Sequence, residues 1–571
     1  MRSSSPSSQP RSFGGEETLV SICLKSGRLV PVLESRCADE GGDWIASSTF
    51  KNSINQTGWS YLEVETNASH SDEVQAYAAG YVEANNTADL IYWHWLNTVS
   101  GYCDKAQAYC GRLATFLRKN LQWMLSQIKR KPQDPYWHQV KLMLYQLAGL
   151  QDGYFGVISQ RPHLYFEPTG VIMLQLSGDL EELEEALNKP EGTGRKVKGS
   201  GSCSALIRPL PGNKDLLFSH DTWTAYQDML RILKLYKFNY HTTPSSSENR
   251  GLSCWNYSVL SLFCPYIAER VPGRTMSLSS YPGTLASIDD FYLMSSGLAV
   301  TETTIGNKNK TLLQYIKPAG GVLTWMRSQV ANRLASTAKN WVQTFRKKSS
   351  GTYNNQWMVV DYKKFNPGKP LPKKDLFYIL ETIPGYVMYA DLTEVLSKQR
   401  YWPSYNVPYF QFIFNMSASW PDVEKYGDWF SYKNAPRAKM FRRDYRNVVD
   451  MTTLQALMRS NNYQHDPLSR CNCTPPYSAE NAISARCDLN PANGTYPFPA
   501  LGHRSHGGVD MKATNSAMML RLEFVAISGP TFDPLPPFQW SKTDFASTTP
   551  HYAQPDLWKF SPVIRRWKTE L

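Results

Sequence analysis

Gly199-Ser200-Gly201-Ser202-Cys203 is the stretch whose residue types suggest chemistry most directly. Small, flexible residues run straight into a thiol. That order suits an N-to-S acyl shift, in which the thiol attacks the carbonyl of the residue before it. The preceding residue must then be small and able to strain, as Ser202 is. Hydrolysis of the thioester breaks the Ser202–Cys203 bond and leaves Cys203 with a free α-amine. Such an amine titrates near ~7.7–8.0, so it can act as general base for its own thiol at neutral pH. Residue types alone favour a plainer reading, a small core residue opening a buried strand.

Two other constellations carry less. His503, His506 and Asp510 have H-x-x-H…D spacing that a tight fold could turn on a metal. No H-E-x-x-H helix accompanies them, and Gly507-Gly508 would break one, so a structural loop buttressed by Arg504 is the expectation. No G-x-S-x-G elbow supports a hydroxyl nucleophile. Neither metal nor cofactor is expected.

The elements around Cys203 follow from periodicity. Leu113, Phe116, Leu117, Leu121, Met124, Leu125 and Ile128 have helical spacing, and Lys131-Pro132 ends that helix. Trp137, Val140, Leu144 and Leu147 mark a second helix. Residues 171–176 read as a strand. Asp179 reads as the N-cap of a short helix through Leu187, with Glu182 three residues on. Lys189 to Ser202 is polar, charged and Gly-rich, an exposed loop. Residues 203–207 and 216–218 read as a hairpin about the turn Pro211-Gly212-Asn213, with His220 just after its second strand. Strands follow at 357–362 and 386–390, and helices at 322–334 and 451–458. From Pro530 a Pro-, Trp- and Phe-rich tail packs on the rest. Mixed strands and helices predict sheets covered by helices.

The net charge of +12 is spread out, with its densest groups at Lys129-Arg130-Lys131, Arg346-Lys347-Lys348 and Arg442-Arg443. A solvated face is expected, with acidic lipid or matrix ahead of nucleic acid as a partner. Aromatic residues, at 13%, suit an acyl-chain pocket and an ordinary core alike. None of the ten cysteines forms the doubled C-x-x-C of a zinc site, and Cys103 and Cys110 are placed to pair. Glycosylation acceptors stand at Asn55, Asn67, Asn85, Asn256, Asn309, Asn415, Asn472 and Asn493. With the cysteine pairs they favour a lumenal or secreted glycoprotein. Residues 1–17 read as a disordered leader. They lack the apolar core of a signal peptide, so either that peptide is missing from this sequence or the protein is cytosolic; the first is expected. No run approaches the ~18 apolar residues of a membrane span.

Several long strings resemble one family. They include Asp134-Pro-Tyr-Trp-His-Gln-Val140, Gly199-Ser-Gly-Ser-Cys-Ser-Ala-Leu-Ile207, Glu302-Thr-Thr-Ile-Gly-Asn307, Ser350-Gly-Thr-Tyr-Asn-Asn-Gln-Trp357, Tyr426-Gly-Asp-Trp-Phe-Ser-Tyr432 and Arg504-Ser-His-Gly-Gly508. From about residue 50 onward the chain resembles the phospholipase B-like, or lamina-ancestor-like, proteins. The resemblance implies an α+β fold of the N-terminal-nucleophile hydrolases, an αββα sandwich of two stacked antiparallel sheets between helical layers. It implies a cut before Cys203, so that fragments 18–202 and 203–571 stay associated as one composite domain. It implies a soluble glycoprotein of the lysosome lumen, with a mannose-phosphate sorting receptor as an expected partner.

The family's pocket groups carry over one by one. The nucleophile falls on Cys203, and the His-x-x-Trp pair on His220 and Trp223. Thr304 is the second Thr of Glu-Thr-Thr-Ile-Gly. Asn406 comes from Ser-Tyr-Asn and Arg437 from Pro-Arg-Ala. His220 would polarise substrate or orient Cys203, or be a satisfied core histidine. Asn406 would donate to the oxyanion or cap a turn. Arg437 would hold an anionic headgroup or shape the amine's surroundings, or form a surface ion pair. Trp223 would wall the site or be plain packing, and Thr304 would hold a neighbour by a hydrogen bond. Two departures stand out. The segment Thr242 to Arg274, with Cys254 and Cys264, is longer than the family's. Cys471-Asn472-Cys473 is too tight for the disulfide that the resemblance implies at the family's C-x-x-C, and Cys487 is an alternative partner.

Two functions compete. One is a self-processing acyl hydrolase that acts on ester or amide bonds of a lipid or N-acyl substrate. The other is a processed lipid- or matrix-binding glycoprotein without turnover.

Overall fold

Strands from both sides of Cys203 pair into one sheet. The computed structural model describes residues 15–162, 164, 166–167, 170–192, 203–244 and 269–568. The leader up to residue 14, Ser202, and Cys254, Asn256 and Cys264 of the long segment lie outside them. Upstream of Cys203 come β1 (Glu17–Lys25), β2 (Arg28–Leu33), β3 (Asp43–Ser53) and β4 (Trp59–Thr66). Then follow β5 (Cys203–Pro209), β6 (Leu216–Ala225), β7 (Ile232–Lys237), β8 (Thr275–Ser280), β9 (Tyr292–Met294) and β10 (Leu298–Thr304). Next are β11 (Asn355–Asp361), β12 (Phe377–Ile383), β13 (Tyr386–Asp391) and β14 (Trp402–Ser404). The last are β15 (His506–Gly508), β16 (Asp510–Thr514), β17 (Phe524–Ser528), β18 (Phe538–Gln539), β19 (Leu557–Trp558) and β20 (Val563–Arg565).

The larger sheet has 11 strands in the order β13-β12-β11-β10-β9-β8-β7-β4-β3-β1-β2. Its neighbours are antiparallel except β4 and β7, which run parallel and join the upstream strands to the downstream ones. The smaller sheet has 7 strands, β14-β5-β6-β16-β17-β20, with β15 beside β6, all antiparallel.

Period-two alternation sets the layers. Ala205, Ile207, Phe218 and Ala526 of the smaller sheet meet Trp59, Leu233, Met358 and Ile379 of the larger in one buried cluster. The intervening Leu206, Leu217, Met511 and Ala513 face Phe441, Leu454 and Met458 of the helices Pro436–Asp444 and Met451–Met458. The far face of the larger sheet is covered by the helices Asp72–Asn86, Pro135–Phe155, Thr324–Leu334 and Ala338–Phe345. The result is the expected α+β sandwich, helix–sheet–sheet–helix. Glycines let two of those helices touch. A Cβ on Gly80 would lie 1.9 Å from the Gln146 carbonyl oxygen, and one on Gly149 would lie 1.9 Å from that of Tyr77.

Most local expectations hold. The helix through Leu113 spans Gln107–Arg130, and the hairpin after Cys203 is β5–β6. Cys103 and Cys110 are bonded, as are Cys23 and Cys37. Four expectations are corrected. Val171–Gln175 is a 3-10 helix, because its apolar side chains bury against the helical layer without a strand partner. Asp179 does stand at the N-cap position of the helix Leu180–Ala186, but its side chain makes no capping bond there; its carboxylate accepts Thr324 N at 2.9 Å and the Thr352 hydroxyl. His220 and Trp223 lie within β6, not after it, because β6 continues to Ala225. Cys471 pairs with Cys473 despite the tight spacing, and Cys487 keeps a thiol that donates to Glu480 at 2.7 Å.

Candidate active site

Cys203 is the first residue of β5 and is buried, opposite Thr222 of β6. Its main chain is gripped from two directions. The Cys203 N–H donates to Oδ1 of Asn406 at 2.9 Å. Its carbonyl accepts Nη1 of Arg437 at 2.5 Å, and the same nitrogen reaches Oγ of Ser204 at 3.3 Å. The guanidinium carbon sits 4.2 Å from the centre of the buried Trp223 ring, a cation–π contact that also shields the group from water. Asn406 itself has φ +68°, a left-handed conformation that asparagine tolerates better than most residues. Its Nδ2 donates to the Thr304 carbonyl at 2.7 Å, so it is committed to the backbone rather than to an oxyanion.

The thiol has different neighbours. Cys203 Sγ, a ring nitrogen of His220 and a carboxylate oxygen of Glu302 lie within 4.8 Å of one another. Burial pushes the Cys203 thiol well up, and the neighbouring Glu302 adds to it, while the main-chain N–H of Trp223 works the other way. Burial pushes His220 down to about 3, with Lys512 contributing, so the imidazole is neutral. Glu302 is held well above the usual carboxylate range by burial and by Asp290.

Behind the thiol lies a buried ion network. Lys512 of β16 donates to Asp289 at 2.8 Å, to Asp510 at 2.8 Å and to the Thr222 hydroxyl at 2.5 Å. Arg231 binds Asp510 at 2.7 Å and also Asp289. Burial alone would raise Asp289, but Arg231 and Lys512 hold it well below the usual range. The Thr222 hydroxyl lies 3.4 Å from Nδ1 of His220, which links the network to the site.

Beside the gripped main chain opens a cavity of about 420 Å³. Thr304, Asn406, Arg437, Tyr405, Trp429 and Phe430 are among its lining residues. Its walls thus offer aromatic faces together with polar groups, the usual mixture for a small-molecule site.

The structure therefore gathers Cys203, His220, Trp223, Thr304, Asn406 and Arg437 in one place. It does not gather the rival set. His503 binds Asp544 at 2.9 Å, Asp510 belongs to the ion network, and His506 lies 3.9 Å from Cys487. Sequence reasoning missed Glu302, Lys512, Arg231 and Asp289, and put Asp510 with His503 and His506 rather than in this network. Only Glu302 had a signal, its place two residues before Thr304 in a quoted string.

Of the glycosylation acceptors, Asn55, Asn415, Asn472 and Asn493 are exposed, while Asn67, Asn85 and Asn309 are half-buried. Asn85 lies inside the helix Asp72–Asn86 with its amide donating to the Gly153 carbonyl at 3.3 Å, an unsuitable acceptor geometry. No helix among the described residues is long and apolar enough to cross a membrane.

Comparison with known proteins agrees with the motifs. A family model described as phospholipase B matches residues 46–565. A Rattus norvegicus protein named "Putative phospholipase B-like 2" is 50% identical over 530 residues, 92% of this chain and 87% of its own. A Caenorhabditis elegans protein carrying the same style of name, phospholipase B-like 1, is 43% identical over 567 residues, 97% of this chain and 94% of its own. Phospholipase B-like protein B of Dictyostelium discoideum is 38% identical over 529 residues, 91% of this chain and 85% of its own. The chain belongs to the phospholipase B-like family.

Proposed function

We propose that this protein is a self-processing acyl hydrolase in which Cys203, freed as an N-terminus, is the nucleophile. The carrying observation is the double grip on the Cys203 main chain, by Asn406 at N and Arg437 at O, beside a cavity large enough for part of a lipid. In the first step Cys203 Sγ bonds to the Ser202 carbonyl carbon. The C–N bond breaks, and the nitrogen takes the thiol proton. Water then hydrolyses the thioester, giving the Ser202 carboxylate and restoring the thiol. In turnover the same thiol attacks an ester or amide carbonyl and passes its proton through the new α-amine to the leaving group. Water releases the acid.

The residues divide the work. Asn406 orients the amine, and Arg437 fixes the strand end while presenting its edge to the cavity. Neutral His220 stands beside the thiol without a hydrogen bond to it, Trp223 walls the site, and Thr304 anchors Asn406. Fragments 18–202 and 203–571 remain together because one sheet holds strands of both. Exposed acceptors and disulfides fit a lysosomal lumenal glycoprotein acting in lipid degradation.

A second reading is a processed binding protein without turnover. The buried thiol, pushed up rather than primed as a thiolate, favours it.

The test is N-terminal sequencing of the mature fragments, with turnover of radiolabelled phospholipids and N-acyl amides at acidic pH. A fragment starting Cys203-Ser204-Ala205, absent from Cys203→Ala, and product release above that variant are expected. Full processing of Cys203→Ala sinks the mechanism. Processing without release from either substrate class favours the binding reading.

A further inference from the structure

The donor atoms around Cys203 have a use beyond hydrolysis. Thiolate, imidazole and carboxylate are the ligand types of zinc, which holds them at about 2.0–2.3 Å. Ligands of one tetrahedral ion therefore stand roughly 3–4 Å apart. Cys203 Sγ, a His220 ring nitrogen and a Glu302 carboxylate oxygen already lie within 4.8 Å of one another, so small side-chain rotations close the set.

His220 adds an independent sign. It is fully buried, and its Nε2 has no hydrogen-bond partner. An orphaned buried nitrogen is costly unless something occupies its position. Its other nitrogen faces the Thr222 hydroxyl, which is held in turn by Lys512. Ligand histidines are oriented in this way, through the nitrogen that does not touch the metal.

Charge also fits. Zinc displaces the protons of its ligands. A thiolate and a carboxylate then neutralise the ion. The nearby cation Lys512 is already spanned by Asp289 and Asp510. The 420 Å³ cavity stops at Asn406 and Arg437, which bond the Cys203 main chain, so an ion must pass these two side chains to reach the buried donors.

A second buried cluster, Glu480, Cys487 and His506, has the same spread of donors. Its thiol already donates to Glu480, and the Arg504 guanidinium sits 3.0 Å from that carboxylate. That positive charge stands where an ion would go, so this cluster is the weaker host.

We propose that Cys203, His220 and Glu302 form a zinc-binding site, and that zinc seated there reversibly blocks the Cys203 thiol. The three side chains carry the binding by themselves. Only the blocking rests on the nucleophile reading.

The full processed protein is titrated with zinc chloride, and separately with cobalt chloride to read the thiolate-to-cobalt absorption band. One ion per chain is expected, with a rise in Tm on zinc addition. Cys203→Ala and His220→Ala should lose the cobalt band, and the isosteric Glu302→Gln should weaken binding by more than about tenfold. Cys487→Ser should bind like the parent. Circular dichroism in EDTA shows that each variant is folded, and Glu302→Gln decides the matter if the others are not. A band that survives in Cys203→Ala, or vanishes in Cys487→Ser, overturns the site. Zinc bound at these residues without loss of measured turnover overturns the block but leaves the site. Zinc bound by a protein that turns over neither substrate class leaves the site and counts against the hydrolase.

Discussion

The side-chain oxygen of Asn406 takes the main-chain N–H of Cys203 at 2.9 Å, across 203 residues of sequence. Because Asn406 spends its own amide on the Thr304 carbonyl, its oxygen can face only one way. Asn406→Ala should slow both cleavage and turnover, by roughly 2–10-fold for the loss of one hydrogen bond to the Cys203 nitrogen. Asn406→Asp keeps an acceptor and should retain part of the rate. The time course of the Cys203-starting fragment, with kcat/KM on a released-acid assay, measures both. Equal rates in parent and Asn406→Ala would remove Asn406 from the site.

Lys512 balances two buried aspartates. Lys512→Met leaves Arg231 to balance both Asp289 and Asp510, which otherwise accept only from neutral donors such as Ser279, Ser287 and Thr222 among the described residues, and should cost about 3–5 kcal/mol, the scale of an uncompensated buried charge. Denaturant unfolding of the parent and variant measures this. A midpoint shift within error would show that water or protonation takes over the lost charge.

His94 and Asp228 line one small cavity and titrate in opposite senses. Burial, with Arg231 and Lys234 nearby, pushes His94 from 6.5 down to about 3. Its neutral form is favoured in the fold, so its contribution is complete above pH 6.5 and is lost as pH falls through about 3. Burial pushes Asp228 from 3.8 up to about 7 against the Thr224 hydroxyl. That contribution is complete below pH 3.8 and is lost as pH rises through about 7. Each effect is on the order of a few kcal/mol. His94→Gln should flatten the acid limb of Tm against pH, and Asp228→Asn the neutral limb. Unaltered limbs would show that both groups keep water.

Gly80 and Gly149 permit backbone contact between the helices Asp72–Asn86 and Pro135–Phe155. Gly149→Ala should force them apart at a cost of about 1–3 kcal/mol or more. A Tm unchanged from the parent would mean that the helices slide without loss.

What the sequence revealed was local or carried by long strings. The periodicity at 107–130, the hairpin after Cys203 and the Cys103–Cys110 pair depend on neighbours within a few residues. The pocket set came through the quoted motifs. What escaped was long-range. Lys512 meets Asp289 across 223 positions, and nothing in the composition of either segment marks a buried cation. The 3-10 helix at Val171 escaped for another reason, since a short apolar run looks alike in a strand and in a buried helix.

The parallel pairing of β4 with β7 has a consequence for the life of the mature molecule. A chain cut before Cys203 would hold its two pieces by such non-covalent contacts, the strand pairing, the shared cores and buried pairs such as Glu83 with Lys234 among them. Its unfolding would then be a dissociation, and its recovery a second-order encounter between two partners. Melting should therefore shift with protein concentration and fail to reverse at high dilution. The uncut Cys203→Ala chain, with both halves on one tether, should recover at any dilution.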